Sequence, residues 1–324
     1  MHAVRPTINL ASTSPHSPHT HFPSQKNAAF FRPWERLPYS RIRHLQSESL
    51  TATMAKKVAP KENWLVFVDT NVLLDFYRQP GASAERQLKA LERHKGLIIT
   101  GDQIRMEFLK HRQKVIVDSI KTIAKPSRIS LPNIVQEHQQ SKMLEKHIAS
   151  ATESHSKIRS KIEAILSDPS HHDPVFQSIN RLFNFKSQFN LTRPNKARFT
   201  IRNLAKKRFV LGYPPRKQGD TSIGDATNWE WIVWCAQNST ENHHILIVSR
   251  DGDYGVTYDG KAILNDWLRR EFKDRVSQKR KIELTNRLTD AMKRLDEHVT
   301  AEDENEENEF LAAPSILLSP IASE

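Results

Sequence analysis

The sequence predicts an α/β fold with a mainly parallel sheet. Two short, unbroken apolar runs, Leu65-Val66-Phe67-Val68 and Ile245-Leu246-Ile247-Val248, have the character of strands covered on both faces. Each run leads into an acid, Asp69 in the first case and Asp251, after Ser249 and Arg250, in the second. Asp69-Thr70-Asn71 breaks the first run, and Val72, Leu73, Phe76 and Tyr77 then recur at helical spacing. Asp69 therefore stands at a strand-to-helix corner, the place where open α/β sheets bind ligands.

Composition sets the outer limits. The chain has 324 residues, 37% of them hydrophobic, enough for a sizeable core in one or two domains. No apolar run approaches the ~20 residues needed to span a bilayer. The single cysteine, Cys235, excludes an internal disulfide and a cysteine-based zinc site; it suits a reducing compartment, so a cytoplasmic location is expected. The formal charge is +12, but residues 297–324 hold eight acids and no Lys or Arg, so residues 1–296 carry +20 and call for a polyanionic partner.

Residues 1–53 are rich in Ser, Pro, His and Thr, with Glu35 and Glu48 as their only acids, and read as a disordered extension. Met54 leads through a short basic stretch into the first strand, as a start codon would, which suggests that the extension is mis-assigned. Past the corner at Asp69, residues 83–95 read as a helix (Leu88, Leu91), Gly96 ends it, and residues 97–100 form a second strand, giving β-α-β order. Asp102 is expected to cap the next helix, on which Ile104, Phe108 and Val115 face the core. Glu107 stands at the edge of that face and can reach the sheet; the plainer alternative pairs it with Lys110 or His111 in solvent.

Residues 113–209 read as a basic helical insertion, and from 113 to 210 there are 18 Lys or Arg against 7 acids. Leu144, Ile148, Ala151, His155, Ile158, Ile162 and Ile165 alternate spacings of four and three, like the seam of a helical hairpin. From 174 to 219 there are eleven Lys or Arg and no acid, interleaved with Phe176, Phe183, Phe185, Phe189, Phe199, Phe209 and Tyr213. Arg198, Arg202 and Lys206 form one stripe of a helix whose opposite side carries Ala197, Ile201 and Leu204. A charge run is usually a solvated face, but a stripe of one sign beside acid-bearing corners suits phosphate tracking.

The α/β pattern then resumes. Gly212-Tyr213-Pro214-Pro215 makes a rigid loop, Arg216 and Lys217 follow, and GDTSIGD delivers Asp225 to the start of a helix with Ala226, Trp229, Val233 and Ala236 facing inward. Asp225 as a simple helix cap is the alternative. Acids at the carboxyl ends of two strands lie on one sheet edge, where Glu107 and Asp225 can join them. Such crowding raises pKa values unless a divalent cation offsets it, and oxygen ligands favour Mg²⁺ or Mn²⁺.

The ordered series VFVDTNVLLDFYR, EFLKHR, RFVLGYPPRK with IGDATNWEWIV, and ILIVSRDGDYG resembles the PIN-like domain family of metal-dependent nucleases, in particular its branch with a long helical insertion. The likeness covers residues 64–112 and 210–296, and the insertion more loosely, within a domain of 64–296. It implies a Rossmann-like three-layer α/β/α sandwich. It also implies Asp69, Glu107, Asp225 and Asp251 as catalytic metal ligands, with Asp253 as an alternative for the last. Thr70 or Asn71 would orient Asp69 or the attacking water, and Ser249 would support the fourth acid. The implied reaction is hydrolysis of phosphodiester bonds, of RNA ahead of DNA, by metal-activated water, leaving a 5′-phosphate and a 3′-hydroxyl. Arg198, Arg202, Lys206, Arg216 and Lys217 would hold the backbone; the resemblance also allows a homodimer.

Three rivals stand beside this. One is a PIN-like protein that binds nucleic acid without cutting it. Another is a haloacid-dehalogenase-type phosphatase, which wants a second Asp where Asn71 stands. The last is a scaffold gripping a partner through its basic hairpin. A last helix is expected over Leu284, Leu288 and Met292, followed by an acidic disordered tail at 297–324.

Overall fold

Strand β1 (Trp64–Val68) is buried along its whole length and forms the middle of a parallel sheet. The computed structural model describes residues 62–79, 81–121, 123–127, 129–216 and 222–313; the N-terminal 53 residues, Lys217 and residues 314–324 lie outside them. From β1 the chain passes through helices α1 (Thr70–Asp75) and α2 (Ala82–Arg93) to β2 (Ile98–Gly101), and through α3 (Asp102–Ile120) to α4 (Asn133–Gln136), α5 (Gln139–Ser167), α6 (Pro169–His172) and α7 (Pro174–Phe183). Strand β3 (Asn190–Leu191), α8 (Ala197–Leu211), α9 (Gly224–Asn238) and β4 (His244–Val248) follow. The remainder is a hairpin of β5 (Gly255–Tyr258) and β6 (Lys261–Leu264), then α10 (Asp266–Arg275), β7 (Ile282–Thr285), α11 (Leu288–Arg294) and α12 (Ala301–Ala312).

Among the described residues the main sheet has the order β3-β2-β1-β4-β7, and every pairing in it is parallel. The winding goes outward from β1 to β3 and then returns to β4 on the other side of β1. The order thus reverses between β1 and β4, which makes their carboxyl ends the crevice of the sheet. Their register pairs Val68 with Val248, so Asp69 and Ser249 emerge level with each other. Helices α2, α7, α11 and α12 pack together, as do α8, α9 and α10. Right-handed crossovers put these groups on opposite faces of the sheet, giving three layers. Leu65, Val66, Phe67 and Val68 of β1 and Ile245 to Val248 of β4 are buried between the layers, which explains their unbroken apolar character.

Several sequence expectations change. The stretch 113–209 is not separate from the core: β3 is an outer strand of the main sheet, and Ile179, Leu182, Phe183, Phe189, Leu191 and Ile201 join the core cluster. Its two-residue strand is too short to leave a periodic signal. Helix α5 is largely solvated; only around His155, Ile158 and Ile162 does its seam face Val117 and Ile120 of α3, across an open cleft. The buried pair of Arg112 and Asp173, 2.5 Å apart, fastens this region to α3 while Arg112 also donates to the Ile165 carbonyl. Asp102 is the first residue of α3 rather than its cap, and Leu284 lies in β7, not in the last helix.

The largest change concerns the acidic tail. Residues 301–312 form α12, closed at its start by a capping box between Thr300 and Asp303. Asp303, Glu307 and Phe310 are buried against the core. Asp303 binds Arg86 of α2, and its carboxyl sits below the usual range, where hydrogen bonds from Thr300 and Arg86 outweigh burial. Glu307 accepts the free N–H groups of Leu288 (2.6 Å) and Thr289 (2.9 Å) at the start of α11, and pairs with Arg250 (2.9 Å). An acid-rich block reads as a tail because its charge count hides three inward positions spaced at helical intervals.

Glu307→Ala is expected to lower the unfolding free energy by about 3 kcal/mol, since it strands Arg250 and two backbone donors in the interior. Denaturant unfolding measures it, and a change under ~0.5 kcal/mol would mean that α12 is not docked as described.

Candidate active site

Asp69 is the first residue beyond β1 and the cap of α1. Its Oδ1 accepts the Thr70 N–H at 2.7 Å, and its Oδ2 accepts the Ser249 hydroxyl at 2.6 Å and the Asn71 amide at 3.1 Å. Its own N–H bonds the Val248 carbonyl at 2.9 Å, continuing the β1–β4 ladder. The carboxylate is thus held from three sides and only 6% exposed. Burial, followed by the nearby charge of Asp251 and then Glu107, pushes its pKa up to about 7 despite the hydrogen bond from Ser249.

Glu107 approaches from the second turn of α3. The Thr70 hydroxyl donates to its Oε2 at 2.9 Å and Gln103 to its Oε1 at 2.6 Å, so Thr70 joins the first two acids through its backbone and its side chain. Asp225 lies in the first turn of α9, directly after Gly224 and beyond the N-cap position, which Ile223 holds. A Cβ built on Gly224 would come within 2.5 Å of Glu107 Oε1, so this glycine lets the start of α9 close onto the acid of α3.

The loop after β4 contributes two acids. The Asp251 N–H donates to Ser249 Oγ at 3.3 Å, and its charge acts on Asp69. Asp253 is 8% exposed, and its charge acts on Tyr254 instead. Ser249 therefore supports Asp69 through its hydroxyl proton and accepts the backbone N–H of the fourth acid. Tyr254 is fully buried, its hydroxyl has no hydrogen-bond partner among the described residues, and its pKa is raised by burial and then by the fields of Asp69, Asp225, Glu107 and Asp253. Tyr254, Gly224 and Gln103 escaped the sequence reading. Tyr254 stands in the RDGDYG run that carries the fourth acid, but its adjacency to two Asp residues was the only available clue.

The arrangement is a set of oxygen donors, Asp69, Glu107, Asp225, Asp251 and Asp253, around a buried phenol hydroxyl. Among the described residues no three His, Cys, Asp or Glu side chains stand at metal-ligating spacing. Thr70, Asn71, Ser249 and Gln103 each donate to one of these carboxylates and fix its direction. The donor chemistry fits a hard divalent ion, and the buried Tyr254 hydroxyl is a polar group left without a hydrogen-bond partner among the described residues.

The basic residues divide differently. Arg202 and Lys206 are exposed on α8, whereas Arg198 is half-buried and donates to the Arg193 carbonyl at 2.8 Å. The inward face of α8 is Ile201, Ala205 and Arg208, and Leu204, expected inside, points out at 39% exposure. Arg208 is an internal strut that binds Glu230 at 2.9 Å and also reaches Glu271 and the Pro214 carbonyl. Arg216 is exposed, with its guanidinium 4.3 Å from the Phe209 ring centre. Of the interleaved aromatics, Phe183 and Phe189 are buried, while Phe199 and Tyr213 are exposed.

The PIN domain family model matches residues 66–254, more than half of the chain. No curated protein and no solved structure matched it.

The raised pKa of Asp69 has a signed consequence. A carboxyl whose folded pKa of about 7 lies above its ordinary 3.8 keeps in the native state a proton that the unfolded chain has lost. Metal-free stability should therefore fall as pH rises from about 4 through about 7, with the whole deficit present above that. Asp69→Asn removes this dependence. The difference in unfolding free energy between the two proteins should shift by up to a few kcal/mol in favour of Asn across that window, and a pH-independent difference would contradict the crowding.

Proposed function

The chain belongs to the PIN domain family, and on that premise we propose that it is a metal-dependent nuclease hydrolysing phosphodiester bonds, of RNA ahead of DNA. PIN domains are generally nucleases that act on nucleic acids and typically use divalent metal ions. The observation that carries the reading is the gathering of carboxylates at one sheet edge: burial, and then the charges of Asp251 and Glu107, raise the pKa of Asp69 to about 7, and the charges of Asp69, Asp225, Glu107 and Asp253 act together on Tyr254. Structural ion pairs do not look like this, because they bring opposite charges together.

Asp69, Glu107, Asp225 and Asp251 would hold Mg²⁺ or Mn²⁺, with Asp253 the alternative fourth ligand. Such an ion, when bound, supplies a water of lowered pKa and offsets charge on the leaving oxygen. The chain's own groups do the rest. Ser249 and Asn71 fix the direction of Asp69 Oδ2, and Thr70 couples Asp69 to Glu107. The Tyr254 hydroxyl, buried beneath the acids, would donate to a water held inside the site. In hydrolysis the water oxygen bonds to phosphorus, the bond to the 3′-oxygen breaks, and that oxygen leaves with a proton. Arg202, Lys206 and Arg216, joined by Arg198 and Lys217, would grip phosphates without reading sequence.

The alternative is a PIN-like protein that binds nucleic acid without cutting it. Labelled single-stranded RNA, duplex RNA and DNA, incubated with Mg²⁺, Mn²⁺ or chelator, separate the two. Cleavage is expected with metal and not with chelator. Asp69→Asn or Asp225→Asn should abolish it while leaving RNA affinity intact, and Asp251→Asn should cost more than Asp253→Asn. Full activity in Asp69→Asn removes the assignment.

A salt titration tests the grip. Changing Arg198, Arg202 and Lys206 together to Gln should weaken binding evenly across sequences and flatten the log–log salt slope by about 0.7 per lost contact on single strands. Most of the change is expected from the exposed Arg202 and Lys206, and an unchanged slope would put the substrate elsewhere.

A further inference from the structure

We propose that Tyr213 and Trp267 form a stacking platform for unpaired bases, a base-binding site at the end of the layer that carries Asp225. The inference rests on the nuclease reading only for the identity of the site that the platform adjoins. The two rings are 40% and 50% exposed, their centres lie 5.2 Å apart, and their planes are inclined by 37°.

Their position follows from the helices beneath them. Trp229 on α9 donates to Glu271 on α10 (3.2 Å), Glu230 pairs with Arg275 (2.7 Å), and Gln237 donates to the Arg275 carbonyl (3.0 Å). Partners advance together along both helices, so α9 and α10 run parallel. One turn back from Trp229 stands Asp225, and one turn back from Glu271 stands Trp267. Side chains four residues apart share a helix face, which brings Trp267 level with Asp225 at the same end of the layer. Helix α8 runs the other way. Its Arg208 reaches Glu230, Glu271 and Pro214, Gly212 closes it in the left-handed conformation (φ 72°), and Tyr213 follows at once. A second tie leads into the site. Asn265, whose side chain caps α10 at the Trp267 N–H (2.9 Å), donates its own N–H to the Tyr254 carbonyl (2.9 Å).

The chemistry of the surroundings selects the occupant. Two large aromatic rings left half exposed forgo part of the gain of burial, and each offers a π-face on which any base can stack. Arg216 before the site and the Arg202–Lys206 stripe on α8 provide cations for the adjoining phosphates, and Arg269 and Arg270 extend the positive surface past Trp267. Bases stacked inside a duplex cannot reach such a platform, whereas those of a single strand can.

The test is equilibrium binding by the full-length protein in EDTA, where the strand stays whole, with labelled oligouridylate, oligothymidylate and an RNA duplex as probes. Tyr213→Ala and Trp267→Ala are each expected to weaken single-strand binding at least about fivefold, with most of it restored by Phe and the salt slope unchanged because no phosphate contact is lost. Duplex affinity should move less than about twofold. Oligouridylate should quench tryptophan emission in the native protein more than in Trp267→Phe. Loss of affinity on ring removal, with either sugar type, supports the platform. Unchanged single-strand affinity in variants with native melting temperature, equal loss for duplex, or quenching unaltered by Trp267→Phe overturns it. A protein that cuts without this aromatic dependence loses the platform alone, and one that stacks without cutting loses the nuclease reading alone.

Discussion

The fold is arranged around carboxylates of like charge held where water is scarce. Strand pairing brings Asp69 and the Ser249 loop level, α3 carries Glu107 in from the side, and Gly224 lets the start of α9 come so near that any larger residue would strike Glu107. Each convergence is electrostatically uphill, and each is offset by a fixed donor: the Thr70 backbone and hydroxyl, the Asn71 amide, the Ser249 hydroxyl and the Gln103 amide. Donors of this kind reduce the repulsion without abolishing it, which is why Asp69 still sits near pH 7. A site retained at that cost makes sense where a cation or an electron-poor phosphorus completes it.

Arg250 shows how the rest of the molecule is enlisted. It lies between Ser249 and Asp251, yet its guanidinium turns away from the acids to bind Asp75 of α1 and Glu307 of α12 and to cover the Phe310 ring at 5.2 Å. Its backbone N–H meets the Asn71 carbonyl oxygen of the side chain at 3.4 Å. The loop is therefore gripped on one side by the residue that also orients Asp69 and on the other by the C-terminal helix. A cation aimed into the acids would compete with any divalent ion; directed outward, it fixes the loop instead.

Much of this was legible in the sequence because the relevant signals are local. Unbroken apolar runs ending in Asp69 and Asp251, and the acids Glu107 and Asp225 at helix positions facing them, are readable from a few neighbours each. What escaped depends on contacts distant in the chain. Strand β3 has two residues, and β7 carries Leu284 in a run that also suits a helix, so only the sheet's pairing decides them. Tyr254 looked like one aromatic after two acids; its significance comes from α3, α9 and β1 meeting around its hydroxyl. The acidic block was misjudged because Asp303 and Glu307 find Arg86 and Arg250 more than 50 residues away, and composition cannot register partners at that separation.

The same distinction bears on the net charge. A count of +20 over residues 1–296 overstates the free positive surface, since Arg112, Arg208 and Arg280 are buried as struts and Arg250 is tied to two carboxylates. What remains is also unevenly spread. The acids of α12 are fixed beside α2 and α11, whereas the exposed Arg202, Lys206 and Arg216 belong to the layer of α8, α9 and α10. Three of the α12 acids are matched on their own side of the sheet, Asp303 by Arg86, Glu304 by Lys293 and Glu307 by Arg250, so the docked helix neutralises nearby cations and leaves the exposed Arg202, Lys206 and Arg216 of the other layer uncompensated by it.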